Sequence, residues 1–370
     1  MFLGDQRGFR IVSLNTEKRN RERNVKIKIS EKGRRAKVRD AGARRAGRDN
    51  GHTMPQKAHG RGADHPKPIT PRADPRAIGI FDSGLGGLTV ARAIRRAFPG
   101  EPICYLGDTA RVPYGTKSPE TVRLYARQNI AFLLGQGVKF IIAACNTVSA
   151  AALPFMDESY PAPILGVVEM GAETALTHKP RRIGIIGTET TIASEAYVRA
   201  IARRAPRVQV LQRACPFFVP LIEEMWLDHP VTRLVIKEYL EPMRRAGVDA
   251  LILGCTHYPL IRPALSEFFG PSVRLVDSAE AMVAALRRAF EDGTLTSVSR
   301  GGIGGSRSGR GGPRGETEPP GGSRFYVTDR GSRFQTLVEA FLGEPDIDVR
   351  QISSEALTES LARYQAEQRR

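Results

Sequence analysis

The sequence predicts an α/β protein of two similar α/β domains with mainly parallel sheets. Three observations carry this. Short apolar runs of β type alternate with helical patterns from residue 77 onward, the alternating part contains an internal repeat, and the excess charge lies outside it.

The elements follow in order. Residues 77–81 form a first strand, then a Gly-rich turn and a helix from about Leu88. Residues 102–106 form a second strand. Ser118 caps the next helix, with Pro119 at its first position, where a missing N–H costs nothing. Residues 138–144 read as a buried strand, and 164–168, 182–186, 208–211, 248–253 and 273–276 continue the series. Helical stretches at 193–204 and 233–246 lie between them.

The repeat is visible by inspection. Gly137-Val138 opens a strand that runs into Cys145-Asn146-Thr147, and Gly247-Val248 opens one that runs into Cys255-Thr256-His257, at an offset of 110 residues. Ile78-Gly79-Ile80-Phe81-Asp82-Ser83 is echoed by Ile183-Gly184-Ile185-Ile186-Gly187-Thr188 at an offset of 105. Two similar offsets in the same order indicate two α/β units of like fold.

The chain has 370 residues with Lys+Arg 56 against Asp+Glu 39, a net charge of +17. Such a balance first suggests nucleic-acid binding. Its location narrows the suggestion: residues 1–76 hold 21 Lys+Arg against 8 Asp+Glu, and residues 299–324 hold 5 Arg against 2 Glu, which leaves +1 for the rest. Residues 1–76 are polar and lack apolar periodicity, so they read as a disordered basic extension, or as the product of a start assigned upstream of Met54. Their only aromatic residues are Phe2 and Phe9, which is poor for base stacking, so any nucleic-acid contact through them would be driven by phosphate charge. Residues 299–324, with ten glycines between Gly301 and Gly322, read as a flexible insert.

Several classes are excluded. No run approaches the ~18 apolar residues of a membrane span, and the basic N-terminus lacks the apolar core of a signal peptide. Four cysteines without any Cys-x-x-Cys spacing argue against a disulfide scaffold or structural zinc and fit a reducing cytoplasm.

In an open α/β sheet, ligands bind beyond the carboxyl ends of the strands. Cys145 and Cys255 both fall there, and a thiol at a helix N-terminus is expected to have a lowered pKa. Each is followed by hydrogen-bonding side chains, Asn146-Thr147 and Thr256-His257. The turn Asp82-Ser83-Gly84-Leu85-Gly86-Gly87 follows the first strand; it has neither the terminal Lys of a P-loop nor Gly-x-Gly-x-x-Gly spacing. Two equivalent thiols flanking one carbon suit the inversion of a stereocentre: one removes a proton from one face while the other delivers a proton to the opposite face. Asp82 is the candidate helper beside Cys145, His257 beside Cys255, and Glu169 is a third.

These motifs, with Gly107-Asp108-Thr109, Pro113-Tyr114-Gly115, Gly166-Val167-Val168-Glu169 and Gly254-Cys255-Thr256-His257-Tyr258-Pro259, resemble the glutamate racemases of the cofactor-independent aspartate/glutamate racemase superfamily. The resemblance covers residues 77–291 and resumes at Phe325-Tyr326-Val327-Thr328-Asp329. It implies interconversion of L- and D-glutamate, with the D-isomer consumed in peptidoglycan synthesis, without pyridoxal phosphate or metal. It implies that Cys145 is the base for the D-isomer and Cys255 the base for the L-isomer. Asp82, Glu169 and His257 match the residues that assist proton transfer. Asp82, Ser83, Tyr114, Gly115, Asn146, Thr147, Thr256 and His257 match the substrate-binding positions. Met170 departs from the family pattern, in which Pro commonly follows the Glu. The alternative within the superfamily is a racemase of aspartate or another small amino acid. The resemblance implies that residues 77–168 with 280–298 and 325–370 form the first domain and 169–279 the second, that the two α/β domains face across an active-site cleft, and that the protein is a homo-oligomer, a dimer.

Overall fold

The twelve strands of the computed structural model are β1 (Gly4–Asp5), β2 (Phe9–Val12), β3 (Ile78–Asp82), β4 (Ile103–Gly107), β5 (Phe140–Ala143), β6 (Ile164–Gly166), β7 (Arg182–Gly187), β8 (Gln209–Ala214), β9 (Ala250–Gly254), β10 (Arg274–Asp277), β11 (Arg324–Val327) and β12 (Val349–Gln351). The structure describes residues 4–5, 9–12, 74–156, 158–297, 322–344 and 347–370, all within one unit made of Met1–Asn15 and Pro71–Arg370.

Two six-stranded sheets result, in the orders β12-β11-β4-β3-β5-β6 and β1-β2-β8-β7-β9-β10. Apart from the antiparallel β1 and β2, every pairing is parallel. The central order β4-β3-β5-β6 of the first sheet recurs as β8-β7-β9-β10 in the second. The sequence repeat survives down to register. Ile78 lies opposite Phe140 and Phe81 opposite Ala143, while their counterparts Ile183 and Ile186 lie opposite Ala250 and Leu253. Cys145 and Cys255 each follow two residues after the last of these pairs, so they occupy equivalent places at the carboxyl ends of two equivalent strands.

Both sheets are covered on both faces, and that is why their strands are continuous apolar runs rather than alternating ones. Ile78, Ile80, Phe81, Ile141, Ile142, Ile183, Ile185, Leu251 and Leu253 are fully buried. Each such side chain contributes about 1.5–3 kcal/mol. The helix Ser278–Glu291 packs on both Leu88–Ala97, which follows β3, and Val167–Leu176, which precedes β7. At the amino end of the first sheet Lys139 is buried in an ion pair with Glu101 at 2.7 Å.

Three expectations change. Strand β6 stops at Gly166 and Val167 begins a helix, so Glu169 stands in a helical first turn and not at a strand end. Ser149 fixes this boundary: its Oγ accepts from Val168 N at 3.0 Å, and a Cβ on Gly166 would stand 2.3 Å from that oxygen. The helix expected at 193–204 begins at Ala196, because Glu195 before it is left-handed at φ 52°, and a separate helix, Glu189–Ala193, ends just ahead of it. Within 1–76, expected to be without regular structure, β2 adds antiparallel to β8 with Val12 opposite Val210. Its Phe-Arg-Ile-Val sequence has the composition that extends an open sheet edge. Residues 13–73 and, within the insert, 299–321 lie outside the described residues.

Candidate active site

Two loops from the first sheet and two from the second converge on the thiols. After β3, Asp82 is fully buried, and its Oδ2 accepts from Gly84 N at 3.1 Å. Ser83 Oγ accepts from the Cys145 thiol at 3.5 Å. After β9, Thr256 Oγ1 donates to Asp82 Oδ1 at 3.4 Å, so the Asp82 loop and the Cys255 loop touch. Gly86 permits this approach: a Cβ there would stand 2.4 Å from Thr256 Oγ1 and 2.5 Å from His257 Nδ1. Only glycine fits.

Cys145 caps the short helix Asn146–Ala151 and is 4% exposed; Cys255 is 7% exposed. The expectation that a helix N-terminus lowers the thiol pKa is overturned at Cys145. Burial, followed by the neighbouring Asp82 charge, pushes it up to about 12, and a charge on Cys255 adds in the same direction. A six-residue helix does not offset the removal of a thiolate from water. Cys255 is followed by a 3₁₀ turn, Tyr258–Ile261, and caps no α-helix.

Burial raises Asp82 as well, although the charge of His257 and hydrogen bonds from Gly87, Gly84 and Thr256 oppose it. A raised carboxyl beside a raised thiol is closer to it in proton affinity than an ordinary carboxylate would be, and that favours exchange between them. At the other thiol, His257 Nδ1 lies 3.9 Å from Cys255 Sγ and Nε2 lies 3.1 Å from Glu223 Oε1. Burial opposes charge on His257, but its hydrogen bonds to Cys255 and Glu223 outweigh burial and raise its pKa to about 10. The two thiols thus have different company. An acid faces Cys145, and an imidazole backed by a carboxylate faces Cys255.

The remaining residues divide. Thr147 Oγ1 is 3.1 Å from Thr188 Oγ1 and 3.5 Å from Thr191 Oγ1, which links the first half to the second. Gly115 lies against the same turn: Thr190 Oγ1 donates to its carbonyl at 2.6 Å, and a Cβ on it would meet Thr188 at 2.8 Å. Tyr114 is buried with its hydroxyl donating to Asp108 and accepting from Asn129 Nδ2 at 3.2 Å, so its side chain braces the loop. Asn146 is buried and bonded to Tyr197 and Ser278.

Glu169 is not brought to the thiols. Its Oε1 pairs with Arg203 and its Oε2 with Arg204 Nη1 at 2.8 Å, at 38% side-chain exposure, and among the described residues no hydrogen bond joins it to either cysteine. Helix geometry explains this, since the helical turn at Val167 carries the side chain toward the helix Ala196–Arg204. Sequence reasoning missed Glu223, Thr188, Thr191 and Tyr197. Glu223 ends the helix Phe218–Glu223, and Glu223-Glu224 carries no motif signal by itself. Thr188 and Thr191 could have been found, since Thr188 is the repeat counterpart of Ser83. Among the described residues no three His, Cys, Asp or Glu side chains group as a metal site.

Comparison with known proteins identifies the family. A family model for Asp/Glu/Hydantoin racemase matches residues 85–286. The glutamate racemase of Syntrophus aciditrophicus is 49% identical over 267 residues, 72% of this chain and 92% of its own. That of Geobacter metallireducens is 44% identical over 282 residues, 76% of this chain and 98% of its own. Among solved structures, the glutamate racemase of Francisella tularensis in complex with D-glutamate is 35% identical with a TM-score of 0.64, covering 75% of this chain and 97% of that one. The chain belongs with the glutamate racemases in the Asp/Glu/Hydantoin racemase family and is an amino-acid racemase, an isomerase.

Proposed function

We propose that the protein interconverts L- and D-glutamate by two-base proton transfer between Cys145 and Cys255. The observation that carries this is the equivalent placement of the two buried thiols at the ends of β5 and β9, each with its own acid–base neighbour. From D-glutamate, the Cys145 thiolate takes the α-proton and the Cys255 thiol delivers its proton to the opposite face. The products are L-glutamate, a Cys145 thiol and a Cys255 thiolate, and the reverse reaction retraces these steps. Asp82 relays protons at Cys145, and His257 with Glu223 does so at Cys255. Ser83, Asn146, Thr147, Thr256 and the Tyr114-Gly115 loop supply hydrogen bonds to the substrate's charged groups. The route uses no cofactor.

Glutamate is favoured over aspartate or another small amino acid by the similarity to glutamate racemases over most of the chain. The D-isomer would supply peptidoglycan synthesis in the cytoplasm, where the four free cysteines of the described chain would stay reduced. No helix among the described residues is long and apolar enough to cross a membrane. We read residues 77–168 with 280–298 and 325–370 as the first domain and 169–279 as the second, and the active form as a homodimer. Nucleic-acid binding through residues 1–76 is a separate reading carried by their charge; a salt-sensitive gel shift that survives deletion of those residues would remove it.

The test is optical. Polarimetry of L-glutamate and of D-glutamate without added cofactor should show decay to the racemate, with deuterium entering the α-carbon in heavy water. Cys145→Ala and Cys255→Ala should each abolish racemisation; full activity in either would overturn the two-thiol route. Faster turnover of L-aspartate than of L-glutamate would overturn the substrate assignment.

A further inference from the structure

Tyr197 belongs to the second half of the protein, on the helix Ala196–Arg204, yet its hydroxyl donates to Asn146 Oδ1 of the first half at 2.6 Å. Asn146 Nδ2 in turn donates to Ser278 Oγ at 3.0 Å, at the start of the helix that packs on both halves. All three side chains are buried, at 2–3% exposure. The Tyr197 ring lies across the Cys255 loop: a Cβ on Gly254 would stand 3.3 Å from its Cε2. One side chain therefore spans from the residue after Cys145 to the residue before Cys255.

A free asparagine amide can present either its oxygen or its nitrogen to a ligand. Here the phenol occupies the oxygen and Ser278 takes one N–H, which leaves the second Nδ2–H as the group available to an anion. We infer that Tyr197 is a positioning residue of the racemase: it fixes the Asn146 amide so that its N–H faces the substrate carboxylate, while its ring sets the backbone that carries Cys255. This rests on the proposed racemisation and on Asn146 binding substrate. No sequence motif singled out Tyr197.

The two functions are separable by chemistry. Tyr197→Phe keeps the ring and removes the hydroxyl, so KM for both enantiomers should rise about ten-fold with kcat changed less than three-fold. Tyr197→Ala removes the ring as well and should lower kcat in addition. Because the equilibrium constant between enantiomers is unity, kcat/KM must fall equally in both directions, which checks the data internally. If Tyr197 acts through Asn146, adding Tyr197→Phe to Asn146→Ala should cost nothing further. Losses that multiply in the double variant, a Tyr197→Phe variant with wild-type KM, or a loss confined to kcat would each overturn the inference. A wild-type chain that fails to racemise glutamate would overturn the proposed function instead, before any variant is compared.

Discussion

Glu223 Oε1 lies 3.1 Å from His257 Nε2, and the other nitrogen of that ring faces Cys255 Sγ at 3.9 Å. The imidazole is thus held at both ends, with a carboxylate behind it and a thiol in front. Phe341 meets it edge-on at a centroid separation of 5.0 Å and Gly86 closes on Nδ1, so the ring has little freedom to turn. Orientation of a histidine by a carboxylate on its far nitrogen fixes which nitrogen carries the exchangeable proton.

Replacing Glu223 by Gln tests that arrangement. The amide keeps the size of the side chain but removes the charge that favours the imidazolium. The His257 pKa should fall from about 10 toward its ordinary value. The step at Cys255 should slow by about 10–100-fold, within the range of acid–base assistance. NMR titration of the imidazole and kcat from L-glutamate read the two effects separately. An unchanged imidazole pKa would show that Glu223 does not support the charge.

The same histidine makes stability depend on pH. Its folded pKa of about 10 lies above the ~6.5 of a histidine in an unfolded chain. The folded state holds the extra proton, so this stabilisation is complete below about pH 6.5 and disappears as pH rises through about 10. The thermal midpoint should decline between pH 6.5 and 9, and His257→Gln should flatten the decline. Equal slopes in the two proteins would remove His257 as its source.

The repeat made the doubled sheet legible before any coordinates, because parallel strands buried on both faces write themselves as apolar runs and because the two copies kept the same Gly-Val…Cys spacing. The convergence of Asp82, Ser83, Asn146, Thr147, Thr256 and His257 was legible because they sit within a few residues of a strand end, where topology alone places them near one another. Glu223 and Tyr197 were not. Each reaches the site from a helix, and which side of a helix faces the cleft depends on packing between elements distant in sequence. Glu169 failed for the opposite reason. It looked like a strand-end residue, but Ser149 stops β6 at Gly166 and the chain turns into a helix.

Glu169→Ala follows from that correction. Its carboxylate is paired with Arg203 and Arg204 at a partly exposed position, so Glu169 ties two helices together away from the thiols. Racemisation should stay within two-fold of wild type. The stability loss should be no more than ~1 kcal/mol, as for other exposed ion pairs. Urea unfolding and the polarimetric assay decide it; a hundred-fold loss of kcat would return Glu169 to the proton path.

Lys139 and Glu101 offer the contrasting case of a pair with almost no access to water, at 2% and 3% side-chain exposure. Lys139 Nζ also donates to the carbonyls of Asp74 at 3.0 Å and Thr296 at 2.9 Å, and Glu101 Oε1 accepts from Ser297 Oγ at 2.7 Å. The pair therefore gathers the chain just before β3, the strand-entry residue of β5 and the segment after the helix Ser278–Glu291. Lys139→Met removes the cation of this buried ion pair, which should cost about 3–5 kcal/mol in urea unfolding. Converting both residues, as Lys139→Met with Glu101→Leu, removes both buried charges and should recover most of that loss, since an apolar pair needs no compensation for lost hydration. Active-site chemistry lies at the opposite, carboxyl end of the sheet, so kcat of the folded double variant should match wild type. A double variant as unstable as Lys139→Met alone would show that the bonds to Asp74 and Thr296, and not the buried carboxylate, set the cost.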